Sequence, residues 1–217
     1  MPARLDLDFK AHVGGLAYDS NSKNIWVCST RDKSKKNTIG RFSYSKLKQF
    51  AKNKKPYEKL KLDKEYPVKY QSFITYYDKK IWVGSFAKEG NGKLISYEFN
   101  KSTNKLEQVG EEISIPAKTQ GVDFVAKNKL LISTSHGRKN KSHLYRYKVS
   151  GSSLKQEKKW EMPPMSEDID INGGRVYIVF ESAANLYRNG ADKNGKCKSP
   201  IDRVVSISTK KSSSCDI

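Results

Sequence analysis

Gln71-Ser-Phe-Ile-Thr-Tyr-Tyr-Asp78, followed after Lys79-Lys80 by Ile81-Trp-Val-Gly-Ser-Phe86, decides the fold. Two short runs rich in β-branched and aromatic residues flank a polar dipeptide, and the segment reads as an antiparallel hairpin. The plan recurs three times. It is seen in His12-Val-Gly-Gly-Leu-Ala-Tyr-Asp19 with Ile25-Trp-Val-Cys-Ser-Thr30, and in Gln120-Gly-Val-Asp-Phe-Val-Ala-Lys127 with Leu130-Leu-Ile-Ser-Thr-Ser135. The last copy is Glu167-Asp-Ile-Asp-Ile-Asn172 with Val176-Tyr-Ile-Val-Phe-Glu181. Successive copies start 59, 49 and 47 residues apart. Asn24, Lys79-Lys80, Asn128-Lys129 and Asn172-Gly173 are expected at the turns. A third run, alternating apolar and polar, follows in every copy: Thr38–Tyr44, Lys93–Phe99, His143–Val149 and Arg203–Ser208. A weaker fourth run follows three of them, at Glu58–Leu62, Leu106–Ile115 and Lys155–Met162.

Repeats of about 40–50 residues with four strands each resemble the blades of a β-propeller. The resemblance is architectural, because the chain carries no WD dipeptide, kelch double glycine or Asp-box. It implies an all-β fold: a small β-propeller of four antiparallel blades in a single domain over residues 1–217. The repeats lie at about 12–65, 70–116, 119–163 and 166–209. The run at residues 4–9, with Leu5, Leu7 and Phe9 alternating against Asp6 and Asp8, is expected to complete the last blade and close the ring. A five-bladed ring would need a blade inside Ala183–Pro200, which reads as a loop. An open sandwich of the same hairpins is the alternative architecture.

The chain has 217 residues, with 42 Lys+Arg against 23 Asp+Glu and a formal net charge of +19. This size buries a core without needing disulfides. Such an excess of positive charge calls for an anionic partner or setting, either an anionic polymer or a glycan. No run of eighteen apolar residues exists to span a membrane. The first residues do not read as a signal peptide, and a mature secreted chain would look the same. The expected location is extracellular or at the cell surface, and the expected state is a monomer. Three cysteines, Cys28, Cys197 and Cys215, without a CxxC spacing argue against zinc. Cys28 reads as a buried strand residue, and Cys197 and Cys215 can pair in an oxidising compartment.

The propeller resemblance also implies where a site would lie. In that class the innermost strand of each blade lines the central channel and begins at one rim. The corresponding residues are His12, Gln71, Gln120 and Glu167. Antiparallel pairing sets the ends of the second strands beside them, adding Arg31, His136, Arg138 and Glu181. This mixture can bind a polar ligand, or hold an acid near a base. The same residues can instead cap and tie neighbouring blades. Lactonase-like propellers hold calcium with Glu, Asn and Asp, whereas Glu167, His12 and two Gln stand here, so no metal or other cofactor is expected. No GxSxG, HExxH or P-loop motif occurs. Gly14-Gly15 reads as close packing, and His143 as a surface residue.

Eight lysines fall between residues 46 and 64, with Glu58 and Asp63 the only acids. Lys46, Lys48, Lys52, Lys54, Lys55, Lys59 and Lys61 form the candidate polyanion patch. Ser45–Lys54 is expected as a short helical insertion ended by Pro56. Lysine rather than arginine, with only Phe50 and Tyr57 as aromatics, fits loose, salt-sensitive attraction, and any nucleic-acid binding would be non-specific. Three functional readings follow: a secreted or surface module that binds a glycan or polyanion at the rim, a hydrolase or lyase with an acid/base pair there, and a protein-interaction scaffold.

Overall fold

The structure is a computed structural model and describes residues 6–30, 36–53, 59–192 and 194–209. It opens with β1 (Asp6–Leu7). The first sheet contains β2 (Leu16–Asp19), β3 (Asn24–Cys28) and β4 (Thr38–Ser43). Helix α1 (Tyr44–Asn53) and β5 (Lys59–Leu60) then intervene before its outer strand, β6 (Lys64–Pro67). The second sheet is β7 (Phe73–Tyr77), β8 (Lys80–Ser85), β9 (Asn91–Asn100) and β10 (Lys105–Pro116). The third is β11 (Thr119–Ala126), β12 (Lys129–Thr134), β13 (Ser142–Ser150) and β14 (Ser153–Met162). The fourth is β15 (Ser166–Asn172), β16 (Arg175–Phe180) and β17 (Val205–Ser208), with helix α2 (Asn185–Arg188) before the last strand. Neighbours within each sheet follow chain order. Among the described residues the fold is therefore the all-β, four-blade propeller class.

The chain divides into two compact units, Met1–Gly84 with Ile95–Gly110 and Ser85–Leu94 with Glu111–Ile217. In the first unit, Trp26 is fully buried against Tyr66 and Phe99, with ring centroids 5.5 and 5.3 Å away. Such tilted and edge-on pairs add about 0.5–1.5 kcal/mol each to the burial of the rings. Ile39, Ile74, Ile81, Val83 and Ile95 complete this core. The β7–β8 turn places Asp78 and Lys79 at positive φ, 50° and 61°, the conformation that twists two-residue hairpins correctly. The first hairpin turns differently. Asp19 accepts hydrogen bonds from the Asn21 and Ser22 N–H groups, both at 2.9 Å, and Asn24 lies in β3 rather than in the turn. In the second unit, Leu131, Leu144, Ile169, Val176 and Ile178 form the core.

Two expectations about the periphery fail. The N-terminal run does not join the fourth sheet, which has three strands among the described residues; β1 pairs in parallel with β5 instead. Leu7 and Phe9 gain burial there against Leu60, Val27 and Phe42, beside Leu47 and Phe50 of α1. The expected outer run of the first blade is displaced as well. β6, not the segment around Leu60, pairs with β4, because Tyr66 fills the main core while Leu60 fills the smaller cluster under α1. Helix α1 itself forms where the insertion is expected. Ser43 caps it by accepting the Lys46 N–H at 3.1 Å.

Gly14 is held by close approach. A Cβ there would lie 1.8 Å from the Ser72 carbonyl oxygen, which is backbone and cannot rotate away. Gly14→Ala is expected to lower stability by about 1–3 kcal/mol. A urea midpoint equal to that of the unmodified protein would contradict the packing.

Candidate functional site

The fourth hairpin carries the most unusual chemistry. β15 and β16 pair regularly from Asn172↔Arg175 to Ile169↔Ile178, and the register then shifts before Ser166↔Phe180. Glu167 and Asp168 therefore lie in a bulge opposite Val179, and such bulges re-aim side chains at sheet rims. The Glu181 N–H donates to the Met165 carbonyl at 3.1 Å, which fixes the end of β16 beside the bulge. The Glu167 carboxyl lies beside that of Glu181. Burial first, then the Glu181 charge and hydrogen bonding to Glu181, with a smaller contribution from Asp168, push the Glu167 carboxyl up to about 8. At neutral pH the Glu167 carboxyl is thus held as a neutral acid.

A second chain of contacts extends from Glu181. The Tyr187 hydroxyl donates to Glu181; burial and this carboxylate raise its pKa. The Arg138 guanidinium sits 4.8 Å from the centre of the Tyr187 ring. It donates to both Asp192 carboxylate oxygens, at 2.7 and 2.6 Å, and to the Gly195 carbonyl at 2.6 Å. This fork holds Asp192 well below the usual carboxylate range, helped by Asn194. Arg138 is therefore a strut for the 182–204 connection and for Tyr187. The Cys197 N–H donates to the Tyr187 carbonyl at 2.9 Å, which ties the same connection down. From the opposite side β11 packs on β15: a Cβ on Gly121 would lie 2.7 Å from the Asp168 carboxylate and 2.8 Å from its Cα.

The remaining expected site residues are placed as follows. Gln120, in β11, donates to the Ser135 carbonyl at 3.4 Å. His136 lines a separate cavity with Lys118, Lys141 and His143. His12 and Gln71 belong to the first unit. His12 is exposed, and the Gln71 Oε1 is buried with no hydrogen-bond partner among the described residues. Arg31 lies outside the described residues, as do Lys54 and Lys55 of the lysine patch. Lys46 is occupied by Asp63 at 2.6 Å and the Lys61 carbonyl at 2.7 Å, and Lys48 lies 5.1 Å from the Tyr44 ring centre. Lys48, Lys52, Lys59 and Lys61 are exposed. Tyr187 and Asp192 were invisible to motif reading, because they sit in a connection with no strand pattern. Cys197 is buried, and Cys215 lies outside the described residues. Among the described residues no group of three metal-ligating side chains gathers, and no helix is long and apolar enough to cross a membrane.

No protein-family model and no curated protein matches the chain. Solved structures resemble it. Hydrazine synthase of Kuenenia stuttgartiensis shares 11% identity at a TM-score of 0.46, over 77% of this chain and 43% of that one. A protein from Lactobacillus plantarum shares 10% at 0.45, over 81% and 50%. Sqt1 of Saccharomyces cerevisiae shares 9% at 0.42, over 76% and 42%. The chain thus spans half or less of the length of these structures.

The buried Glu167 carboxyl contributes a pH dependence to stability. Glu167 ionises near 8 in the folded protein against an ordinary 4.5, so the folded state holds a proton that the unfolded chain releases. The stability this contributes is present below about pH 4.5 and is lost as pH rises to about 8. Glu167→Gln is expected to flatten the fall in thermal midpoint across this window. An equally steep fall in the variant would contradict the assignment.

Proposed function

We propose that the protein is a binding module whose working site is the Glu167–Glu181 pair with Tyr187, and that its ligand is a hydroxyl-rich molecule of the glycan class. One observation carries this reading: two glutamate side chains gather at a strand-end bulge, Glu167 held protonated largely by burial, and their carboxyl oxygens are acceptors side by side. A sugar hydroxyl is itself donor and acceptor, so adjacent hydroxyls complement such a pair. The pair is negative, which disfavours an anionic group at this point. The anionic component of a cell-surface polymer would instead meet the exposed Lys48, Lys52, Lys59 and Lys61. An extracellular or surface setting, where such polymers are found, belongs to this reading.

A second reading is favoured by the elevated Glu167 pKa. A carboxyl that is still protonated near neutral pH can serve as a general acid, with Glu181 as the base, in a hydrolase or lyase. Arg138 is not free to clamp a substrate anion in this reading, because Asp192 and Gly195 already take its donors.

A glycan array followed by calorimetry, with mass spectrometry of the incubated ligand, separates the two. For the binding module, the unmodified protein retains its ligand intact, and Glu181→Ala weakens binding at least tenfold while leaving the fold unchanged. Ligand cleavage by the unmodified protein that disappears in Glu167→Gln identifies the enzyme. Full binding by Glu181→Ala removes the pair from either role. For the lysine surface, replacing Lys48, Lys52, Lys59 and Lys61 by Gln is expected to lower the salt concentration that elutes the protein from an anionic-polysaccharide column. Elution at the unchanged concentration would contradict their role.

A further inference from the structure

A cavity of about 380 Å³ opens in the second unit, apart from the carboxyl pair. Its walls are the β10–β11 turn, the segment after β12 and the start of β13. Lys118, His136, Asn140, Lys141, His143 and Tyr145 face it, and no carboxylate lines it. The walls are tied together by backbone. The Lys118 N–H donates to the Ala87 carbonyl at 2.7 Å, and the Ser135 N–H donates to the Lys118 carbonyl at 2.9 Å. The Asn140 amide donates to the His136 carbonyl at 2.8 Å. The shape is thus built before any ligand arrives, and its volume falls within the range of about 300–1,000 Å³ of small-molecule sites.

Its lining carries two lysines and no carboxylate, and Glu161 stands beside it on β14. On β14, Lys159 pairs in register with Tyr145, its ammonium 5.6 Å from that ring's centre, and Glu161 pairs in register with His143. Lys141 pairs with Glu161, but its side chain is 65% exposed against 10% for Arg138, so its ammonium is also open to a ligand. The groups acting on His143 are thus Lys159 and Lys141, opposed by Glu161. Burial first, and then the Lys159 charge, lower its pKa and so favour the neutral imidazole. A neutral imidazole among lysines is poised to take up a proton when an anion enters.

We infer that this cavity binds a tetrahedral oxyanion, a sulfate or phosphate ester carried on a ring-sized body, held by Lys118, Lys141 and the His143 imidazole. The two lysines are point charges suited to a compact oxyanion, and the lining lacks the arginine fork that matches a planar carboxylate. The volume exceeds what a bare ion fills, and this leaves room for the body that bears it. The inference is independent of the carboxyl pair: neither site shares a side chain with the other.

The test follows the imidazole signals of the three histidines by NMR at pH 7, with ionic strength held constant by sodium chloride. The probes are inorganic sulfate, inorganic phosphate, glucose 6-sulfate, glucose 6-phosphate and glucose. The esters are expected to shift the His143 signals saturably and at least threefold more tightly than the free ions, with glucose inert and His12 unmoved. The His143 midpoint is expected to rise in the bound state. The Lys118→Gln, Lys141→Gln double variant changes two exposed side chains, and it should weaken the shift at least tenfold with an unchanged circular dichroism spectrum. No saturable shift, or an equal shift in the double variant, overturns the site. Equal affinity for ion and ester overturns the ring-bearing ligand.

Discussion

A strand buried on both faces must be covered on both faces, and this constraint governs the molecule. Trp26, Val27 and Cys28 in β3 are fully buried, as are Leu130, Leu131 and Ile132 in β12. Consecutive side chains in a strand point to opposite faces, so both faces of these strands are dry. Every N–H and C=O in them must then be paired within the sheet, which requires a strand on each side. β3 runs between β2 and β4, and β12 between β11 and β13. Polar chemistry is thereby pushed to the strand ends. In the second unit a buried hydroxyl network occupies such ends. Ser133 and Ser166 meet at 2.8 Å, Ser142 donates to Ser135 at 3.0 Å, and the Ser166 N–H donates to Ser142 at 3.1 Å. The Glu167 bulge begins one residue beyond that network.

The repeat was legible because apolar runs of five or six residues separated by short polar turns admit few readings. Ile81-Trp-Val and Leu130-Leu-Ile read as strands, and the structure buries Ile81, Val83 and all three of the latter. What could not be read is how a short run chooses its neighbour. The segment at residues 4–9 alternates well enough for any sheet edge. It goes to β5 because Leu7 and Phe9 find Leu60, Leu47 and Phe50 there, and that choice depends on an insertion whose placement local pattern does not encode.

The carboxyl site was half legible. Strand-end logic put Glu167 and Glu181 on one hairpin, and the structure sets them at the same end of β15 and β16. The bulge that aims them was not readable, since it arises from the register slip between Ser166 and Ile169 rather than from residue type. Nor was the role of Arg138, whose guanidinium looked available until Asp192 and Gly195 were found to occupy it. His143 was read as a surface residue, yet it lines the lysine-walled cavity. A strand pattern shows which face a residue takes, but not whether a turn from elsewhere in the chain arches over it.

The charge of +19 separates into parts with different surroundings. Some lysines are internally occupied, as Lys46 is by Asp63. Others stand in solvent, where they act over about 8 Å at physiological salt. The candidate site depends on none of these, but on the proton that Glu167 keeps at neutral pH. Infrared difference spectroscopy at pH 7, comparing the unmodified protein with Glu167→Gln, tests it most directly. The unmodified protein is expected to show the carbonyl band of a protonated carboxylic acid, and the variant to lose it. Carboxylate bands alone at pH 7, with both glutamates ionised, would contradict it.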